Sequence, residues 1–205
     1  MALATITPVE LTTRDLIIDA AERHFADRGF EGASVRDIAA DAGVRNQASL
    51  YHYFESKQQL YEAVLRRGVG LLIDAVGTGG SVSPTAYLDR VLDFLTAHSH
   101  MAVLMQRVSL DDSEAARAIV ARVLQPLFDQ GLLLLGAGRG GWAEEDLPHV
   151  AAGLYHLIFG YFADAALLRT VMRDDPMDAA VVRRQRRFVH AAIARLLNEP
   201  ATQGI

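Results

Sequence analysis

The chain has 205 residues, of which 51% are hydrophobic and 22% are charged, and its formal net charge is −5. This composition is typical of a globular protein and excludes a disordered chain. The chain contains no cysteine, which excludes disulfides, thiolate zinc sites and cysteine nucleophiles. No stretch approaches the ~18 consecutive apolar residues of a membrane span, and the N-terminus lacks a signal-peptide pattern. We therefore expect a cytoplasmic protein with no membrane contact.

The charge distribution contains no basic domain of the kind that indicates nucleic-acid binding. Residues 1–67 carry 8 basic and 10 acidic side chains, a balance of −2, and residues 68–205 carry 12 and 15, a balance of −3. Lys57 is the only lysine, so 19 of the 20 cations are arginines. Arginine makes planar, bidentate contacts with phosphates and base edges. The arginine content therefore permits DNA binding without indicating it.

Apolar residues recur at helical spacing through almost the whole chain, and no segment alternates for long enough to predict a strand. We expect an all-α protein of about nine helices. Near the N-terminus, Thr12-Thr13, Ser34 and Ser56 are predicted to cap helices, and Gly29 and Gly43 to end them. The pattern then predicts helices at about 84–98, 100–108, 113–135 with a kink or division at Pro126, 144–172 and 176–198.

Two short helices joined by the turn Ala42-Gly43-Val44, and braced by a preceding helix, form a helix-turn-helix. In this motif the second helix presents the side chains at its N-terminal end to the DNA major groove. The polar residues at that end are Arg45, Asn46, Gln47 and Ser49. Because arginine can bond guanine bidentately, and asparagine or glutamine can bond adenine in the same way, these residues are candidates for base recognition.

A series of spaced motifs covers about residues 12–61. It consists of Thr13-Arg14, Ile17-Ile18-Asp19-Ala20-Ala21, Phe25, Gly29-Phe30, Ser34-Val35-Arg36-Asp37-Ile38-Ala39, Ala42-Gly43-Val44 and Leu50-Tyr51-His52-Tyr53-Phe54-Glu55-Ser56-Lys57. Together these motifs resemble the DNA-binding domain of TetR-type transcriptional repressors. Such a series is far more specific than a generic helix-turn-helix.

The resemblance implies a homodimeric, all-α, ligand-responsive repressor. Residues 1–56 would form an N-terminal three-helix helix-turn-helix domain, and residues 57–205 a larger C-terminal helical domain for ligand binding and dimerisation. The implied partners are double-stranded operator DNA, a small and apolar effector molecule, and a second copy of the chain.

The resemblance also implies phosphate contacts by Tyr51, Tyr53 and Lys57, and by Ser34 with the helix N-terminus beside it. The complete predicted DNA-binding set is Ser34, Arg36, Arg45, Asn46, Gln47, Ser49, Tyr51, His52, Tyr53 and Lys57. One departure from the family is that six residues separate Val44 from Tyr51, where members usually have about five. Because of this departure, the assignment of individual base-contacting residues stays open. Tyr51 and Phe54 also have an alternative interpretation as core aromatics.

No enzyme, metal or cofactor site is predicted. The stretch Gly136–Gly141 matches G-x-G-x-x-G, but the segment before it has helical spacing, so it lacks the strand that a dinucleotide-binding turn requires. The seven histidines show no H-E-x-x-H pattern. No nucleophile elbow, phosphate-binding loop or pair of carboxylates points to catalysis.

Large, adaptable side chains in the C-terminal half predict an apolar ligand pocket. The candidate lining residues are Phe94, His98, Met101, Met105, Tyr155, His156 and Phe159, among which the histidines and the tyrosine would orient a ligand. The alternative for each of them is ordinary core packing.

The last two predicted helices carry small and apolar residues that favour a homodimer through a four-helix bundle. The candidate interface residues are Gly153, Gly160, Ala163, Val182, Phe188, Val189, Ala192, Ile193 and Leu196. The alternative is packing within one chain. A rival function, supported by the net negative N-terminal segment, is a ligand-binding or interaction module that does not bind DNA.

Overall fold

The computed structural model describes residues 12–77, 83–137 and 142–198, and all regular secondary structure in these ranges is helical. The predicted all-α fold class is confirmed. The α-helices in chain order are α1 (Thr13–Gly32), α2 (Val35–Asp41), α3 (Gln47–Leu50), α4 (Lys57–Val76), α5 (Pro84–Ala97), α6 (Ser99–Leu110), α7 (Glu114–Ile119), α8 (Gln125–Ala137), α9 (Leu147–Ala163), α10 (Ala165–Met172) and α11 (Ala179–Asn198).

The chain divides into two compact units, Met1–Val64 and Leu65–Ile205. The division lies inside α4, later in the chain than the boundary after residue 56 that the sequence suggests. One continuous helix therefore contributes its first two turns to the N-terminal unit and the remainder to the C-terminal unit.

Local capping defines the helices of the N-terminal unit. The Thr12 side chain accepts a hydrogen bond from the Asp15 backbone N–H at 3.2 Å, and the Asp15 carboxylate accepts one from the Thr12 N–H at 3.1 Å, which forms a capping box. Gly29 has a φ of 71°, so the regular part of α1 ends at Arg28 as predicted. Gly43, with a φ of 70°, makes the turn after α2.

Aromatic side chains hold α1 to the beginning of α4. Phe25 is fully buried, and Tyr61 meets it edge to face with the ring centroids 4.9 Å apart. Phe30, which follows the bend at Gly29, lies 5.2 Å from the same tyrosine ring. These contacts explain how so small a unit as α1, α2 and α3 forms a stable core, because the first turns of α4 complete it.

In the C-terminal unit, α9 is the central helix and contacts α5, α6, α8 and α11, most extensively α6. Helix α4 ends at Gly77, where φ is 77°. The Arg90 guanidinium on α5 donates to the carbonyl of Val76 at 2.9 Å and so satisfies one of the free carbonyls at that helix end.

Pro126 divides the predicted 113–135 helix. A π-helical turn over Val120–Leu124 separates α7 from α8, and the Gln125 N–H donates to the Val120 carbonyl. Because proline has no N–H and its ring crowds the preceding turn, the wider π turn accommodates it at the start of α8.

The prediction of one helix over 144–172 is wrong. A 3₁₀ turn over Glu144–Asp146 leads into α9, and α9 and α10 are bent by 77°. The break occurs at Asp164, whose backbone leaves the helical region and whose carboxylate accepts a hydrogen bond from the Gln106 side chain on α6 at 3.3 Å. The predicted start of the last helix at 176 is also early, because α11 begins at Ala179.

Candidate functional site

The recognition helix α3 is a single turn that Asn46 caps and Leu50 anchors. The Asn46 side-chain oxygen accepts hydrogen bonds from both the backbone N–H of Ser49 at 2.9 Å and its hydroxyl at 3.1 Å. Leu50 is fully buried. Asn46 therefore caps α3 through its amide oxygen, while its NH2 group and the acceptor lone pairs of the Ser49 hydroxyl take no part in these bonds, and base contact by both residues stays a prediction.

Polar and aromatic side chains around α3 are exposed. Arg45, Gln47 and His52 are exposed, and so are the tyrosines Tyr51 (41%) and Tyr53 (44%). The core interpretation is wrong for Tyr51 and confirmed for Phe54, which is 2% exposed. The Gln47 side-chain amide lies 3.4 Å from the Tyr51 hydroxyl, a long and weak hydrogen bond.

Ser34 and Arg36 occupy the N-terminal end of α2. The Ser34 hydroxyl accepts a hydrogen bond from the Asp37 N–H at 3.4 Å and caps the helix. Arg36 follows directly and is exposed.

Ion pairs neutralise part of the acidic excess of this unit. Arg23 bonds Asp41 at 2.8 Å, and Arg28 bonds Asp37 at 3.0 Å. The guanidinium of Arg23, with a smaller contribution from His24, holds the pKa of the Asp41 carboxyl below its usual value. Within residues 12–77, 83–137 and 142–198, no carboxylate pairs with Arg36 or Arg45.

Lys57, a predicted phosphate ligand, has contacts within its own unit. Its ammonium donates to the Glu31 carbonyl at 3.3 Å and lies 4.7 Å from the centre of the Phe30 ring. An ammonium has three N–H donors, so this arrangement leaves two of them for another acceptor. Lys57 therefore holds the end of α1 against the beginning of α4, a role that the sequence pattern does not indicate.

Comparison with known proteins identifies the helix-turn-helix. Residues 17–64 match the family model for "Bacterial regulatory proteins, tetR family". The N-terminal domain belongs to the tetR family. The chain is 46% identical over 65 residues, 31% of each chain, to the transcriptional repressor KstR2 of Mycolicibacterium smegmatis. It is 43% identical over 63 residues, 31% of this chain and 28% of the relative, to the transcriptional activator FasR of the same species.

These alignments span less than a third of the length of the two curated relatives. A solved structure of similar fold extends the comparison beyond the tetR-family domain. The fatty acid degradation regulator FadR from Bacillus halodurans superimposes with a TM-score of 0.66 at 21% identity, over 85% of this chain and 96% of that one. At this identity the comparison establishes the fold of the C-terminal unit and nothing finer.

Six of the seven predicted ligand-binding residues lie on α5, α6 and α9, helices that contact one another, and His98 lies at the junction between α5 and α6. The Tyr155 and Phe159 rings stack with centroids 4.8 Å apart, and Phe94 lies 4.7 Å from His98. Phe128 of α8, which the sequence analysis missed, lies 5.1 Å from Tyr155. The rings of Phe128, Tyr155 and Phe159 therefore form an aromatic row along α8 and α9.

The polar members of this set differ in their surroundings. His98 and His156 are exposed. The Tyr155 hydroxyl is buried and has no hydrogen-bond partner among the described residues. Burial raises the pKa of Tyr155, with the nearby Ser109 hydroxyl as a smaller opposing influence.

Three predicted ligand residues are core residues of the unit, since Phe94 is 6%, Met101 1% and Met105 0% exposed. Met101 packs directly against Gly68 of α4. Phe94 and Met105 stay predicted pocket residues, whereas Met101 packs against α4, outside the aromatic row.

The predicted dimer interface separates into buried and exposed residues. Val189 is fully buried and Val182 is 8% exposed, so both are corrected to core residues within one chain. Phe188 (55%) and Leu196 (36%) are exposed. The remaining members, which are half-buried or exposed, are Gly153, Gly160, Ala163, Ala192 and Ile193.

Helix α10 adds exposed apolar residues that the sequence analysis missed. None of its residues is buried, and Leu167, Val171 and Met172 are 61%, 68% and 44% exposed. Their apolar character is visible in the sequence, but their exposure depends on the bend at Asp164.

A polar cluster connects α5 to α11. Asp89 accepts hydrogen bonds from Arg186 at 2.7 Å and from His190 at 2.8 Å, and Arg186 also pairs with Asp93. The hydrogen bond from His190 makes the largest contribution to holding the pKa of Asp89 below its usual value, and Arg186 adds a smaller one. The cluster fixes which face of α11 packs inward.

Within the described ranges, no three histidine, aspartate or glutamate side chains are grouped so as to hold a metal ion. In the same ranges, no single helix has the length and apolar character to cross a membrane, and only the bent pair α9–α10 meets those two criteria jointly.

Proposed function

We propose that the protein is a transcriptional regulator that binds a palindromic operator as a homodimer and is released by a small apolar effector. The observation that carries the proposal is a tetR-family helix-turn-helix whose exposed side chains include two arginines, Arg36 and Arg45, without a carboxylate partner in the described part of the chain. Unpaired arginines around a recognition helix provide the positive charge that phosphate contacts need.

The proposed DNA contacts fall into two classes. Gln47 and Arg45, exposed at the beginning of α3, would contact base edges. Arg36, Tyr51, His52, Tyr53 and the free donors of Lys57 would contact phosphates and so fix the orientation on the duplex.

Dimerisation would use the exposed apolar residues of the last helices. Phe188 and Leu196 on α11 and Leu167 and Val171 on α10 expose large side chains that favour a partner surface. A two-fold symmetric pair would present two recognition helices to two half-sites, which accounts for a palindromic operator.

A mobility-shift assay on the DNA flanking the protein's own gene tests the proposal. We expect binding that weakens steeply with salt and is stronger than binding to random DNA of the same length. Equal affinity for both DNAs, or no binding at low salt, would favour the rival function of an interaction module. Repression, as opposed to the activation for which FasR is named, is then tested with a reporter gene in cells that lack the protein.

The effector would occupy the region around the aromatic row of Phe128, Tyr155 and Phe159. An apolar molecule with one polar group suits this region, because the only buried hydroxyl lacking a hydrogen bond in the described part of the chain is that of Tyr155. Mass spectrometry of molecules that co-purify with the protein identifies candidates. Linkage requires that a releasing effector bind more weakly to the operator complex, by the same factor by which it weakens DNA binding.

A further inference from the structure

Arg14 brings a cation to the end of the recognition helix from a distant part of the chain. It lies in the first turn of α1, its side chain is exposed, and its guanidinium carbon lies 5.0 Å over the centre of the Phe54 ring. The N–H of Phe54 donates to the carbonyl of Leu50, the last residue of α3, at 3.2 Å. Arg14 precedes residues 17–64, which match the tetR-family model, so the similarity does not include it.

The guanidinium of Arg14 has no carboxylate partner in residues 12–77, 83–137 and 142–198. The other two arginines of α1 are paired. Arg23 bonds Asp41 at 2.8 Å. Arg28 bonds Asp37 at 3.0 Å. An aromatic ring attracts a guanidinium through the face of the ring and leaves its N–H donors for other acceptors. Among the arginines of α1, Arg14 therefore keeps both its donors and its charge available to another molecule.

The acidic residues next to this contact do not neutralise Arg14. Asp15 follows it in the chain, but the Asp15 carboxylate accepts hydrogen bonds from the N–H of Thr12 at 3.1 Å and from its hydroxyl at 2.6 Å. Glu55 follows Phe54, and no ion pair joins Glu55 to Arg14 in the part of the chain that the structure describes. The positive charge at this point of the surface therefore suits an anionic partner.

The same surface carries two tyrosines that are proposed to contact DNA. Tyr51 and Tyr53 are 41% and 44% exposed, and Tyr53 directly precedes Phe54. A DNA strand that these tyrosines bond would run close to Phe54, where the Arg14 guanidinium is held. Arginine is suited to a phosphate at this place, because its planar fork can bond two oxygens at once.

We propose that Arg14 binds a phosphate of the operator backbone close to the phosphate bound by Tyr53. The inference rests on the proposed function, and it adds a residue that the predicted DNA-binding set does not contain. Residues 12–64 carry 6 basic and 9 acidic side chains, so the domain has few cations for DNA. Because phosphate contacts supply essentially all of the sequence-independent affinity, each cation without a carboxylate partner matters for binding.

The experiment separates the charge of Arg14 from its packing on Phe54. Arg14→Met keeps a side chain that covers the ring but removes the charge, and Arg14→Lys keeps a cation over the ring. We measure the factor by which affinity falls between about 50 mM and 200 mM salt, and we expect Arg14→Met to reduce this factor about threefold, the contribution of one phosphate. The reduction should be the same for the operator fragment and for random DNA, because phosphate contacts carry no sequence information.

Two variants should keep the wild-type salt dependence. Arg14→Lys retains the charge that the phosphate needs. Arg28→Met is the matched control on the same helix, because the charge of Arg28 is already paired with that of Asp37. An equal change in Arg14→Lys and Arg14→Met would come from the packing over Phe54 and would overturn the inference.

Ethylation interference locates the contact on the DNA. Ethylation neutralises one phosphate at a time, so binding weakens where the protein contacts the modified phosphate. We expect Arg14→Met to lose interference at one phosphate in each half-site, and Tyr53→Phe to lose it at the same or the adjoining phosphate. A folded Arg14→Met protein with the wild-type interference pattern, or with a loss far from that of Tyr53→Phe, overturns the inference.

Melting curves followed by circular dichroism show whether each variant is folded. Arg14→Gln is also neutral and takes the place of Arg14→Met if the latter does not fold. A wild-type salt dependence in a folded neutral variant overturns the inference while wild-type binding, and with it the proposed function, stands. If the wild-type protein itself binds neither DNA, the proposed function fails and the inference fails with it.

Discussion

The side-chain oxygen of Asn46 accepts two hydrogen bonds from Ser49, one from its backbone N–H at 2.9 Å and one from its hydroxyl at 3.1 Å. The recognition helix that follows has only four residues, so these bonds are a large part of what holds it in shape. The amide oxygen of Asn46 is thus occupied within the helix-turn-helix, where it caps α3.

Replacing Asn46 tests the capping role. We expect Asn46→Ala to lower the free energy of unfolding of the N-terminal domain by about 0.5–2 kcal/mol, as for other lost N-caps. Asn46→Asp retains a capping oxygen and should keep nearly the wild-type value. Urea denaturation followed by circular dichroism measures both. Equal stabilities of Asn46→Ala and wild type would show that the cap contributes nothing.

Gln47 is the first residue of α3, and its amide has only a long bond to the Tyr51 hydroxyl. We expect Gln47→Ala to weaken binding to the cognate operator by about 1–3 kcal/mol and binding to random DNA hardly at all. Titration of both DNAs at one salt concentration gives the two numbers. Equal losses on both would reassign Gln47 to phosphate contact.

Arg36 and Arg23 differ in pairing, although both are exposed arginines of the same domain. Arg23 bonds Asp41 at 2.8 Å, whereas no described carboxylate pairs with Arg36. We expect Arg36→Ala to reduce the slope of log K against log salt by about 0.9, the value for one neutralised phosphate. Arg23→Ala should leave the slope unchanged. A slope that falls equally in both variants would contradict the proposal that arginines without a carboxylate partner are the ones that contact phosphates.

The elements that the sequence predicts well are those with local causes. Thr12 and Ser34 cap helices through residues three positions later, and the glycines at 29 and 43 adopt positive φ where the pattern ends a helix. Asn46 is a preferred capping residue as well, but its identity as the cap requires knowing that α3 begins at Gln47.

The elements that the sequence misses depend on contacts between distant residues. The break at Asp164 coincides with a hydrogen bond to Gln106, 58 residues away, while the apolar pattern continues through it. Phe188 and Val189 are neighbours in the sequence and equally apolar, yet one is 55% exposed and the other fully buried. Arg186 and His190, which bond Asp89 of α5, follow the buried Val182 and Val189 at helical spacing on the inner face of α11.

The Asp89 cluster predicts a pH dependence of stability. The pKa of Asp89 in the folded state lies below the usual 3.8. The stability that the Asp89 carboxylate contributes is therefore fully present above the unfolded pKa and is lost as the pH falls through the folded pKa. We expect Asp89→Asn to be less stable than wild type at about pH 5, by less than about 1 kcal/mol because the group is partly exposed. The difference should shrink as the pH falls below 3.8.

Urea titrations at several pH values measure this difference. Asp74→Asn provides the control, because Asp74 is exposed and has no partner among the described residues. A difference between Asp89→Asn and wild type that stays constant down to the lowest pH would mean that the carboxylate charge is not what stabilises the fold.

Two exposed apolar residues on different helices test where the proposed dimer interface lies. Phe188 on α11 is 55% exposed, and Leu133 on α8 is 75% exposed. We expect Phe188→Glu to convert the dimer to a monomer, because a charge buried without a partner costs several kcal/mol at an apolar interface. Leu133→Glu should leave the mass unchanged, although it replaces the more exposed residue.

Sedimentation equilibrium measures both masses, and thermal unfolding confirms that each variant is folded. A dimeric Phe188→Glu protein would place the interface elsewhere, and a monomeric Leu133→Glu protein would place it on α8.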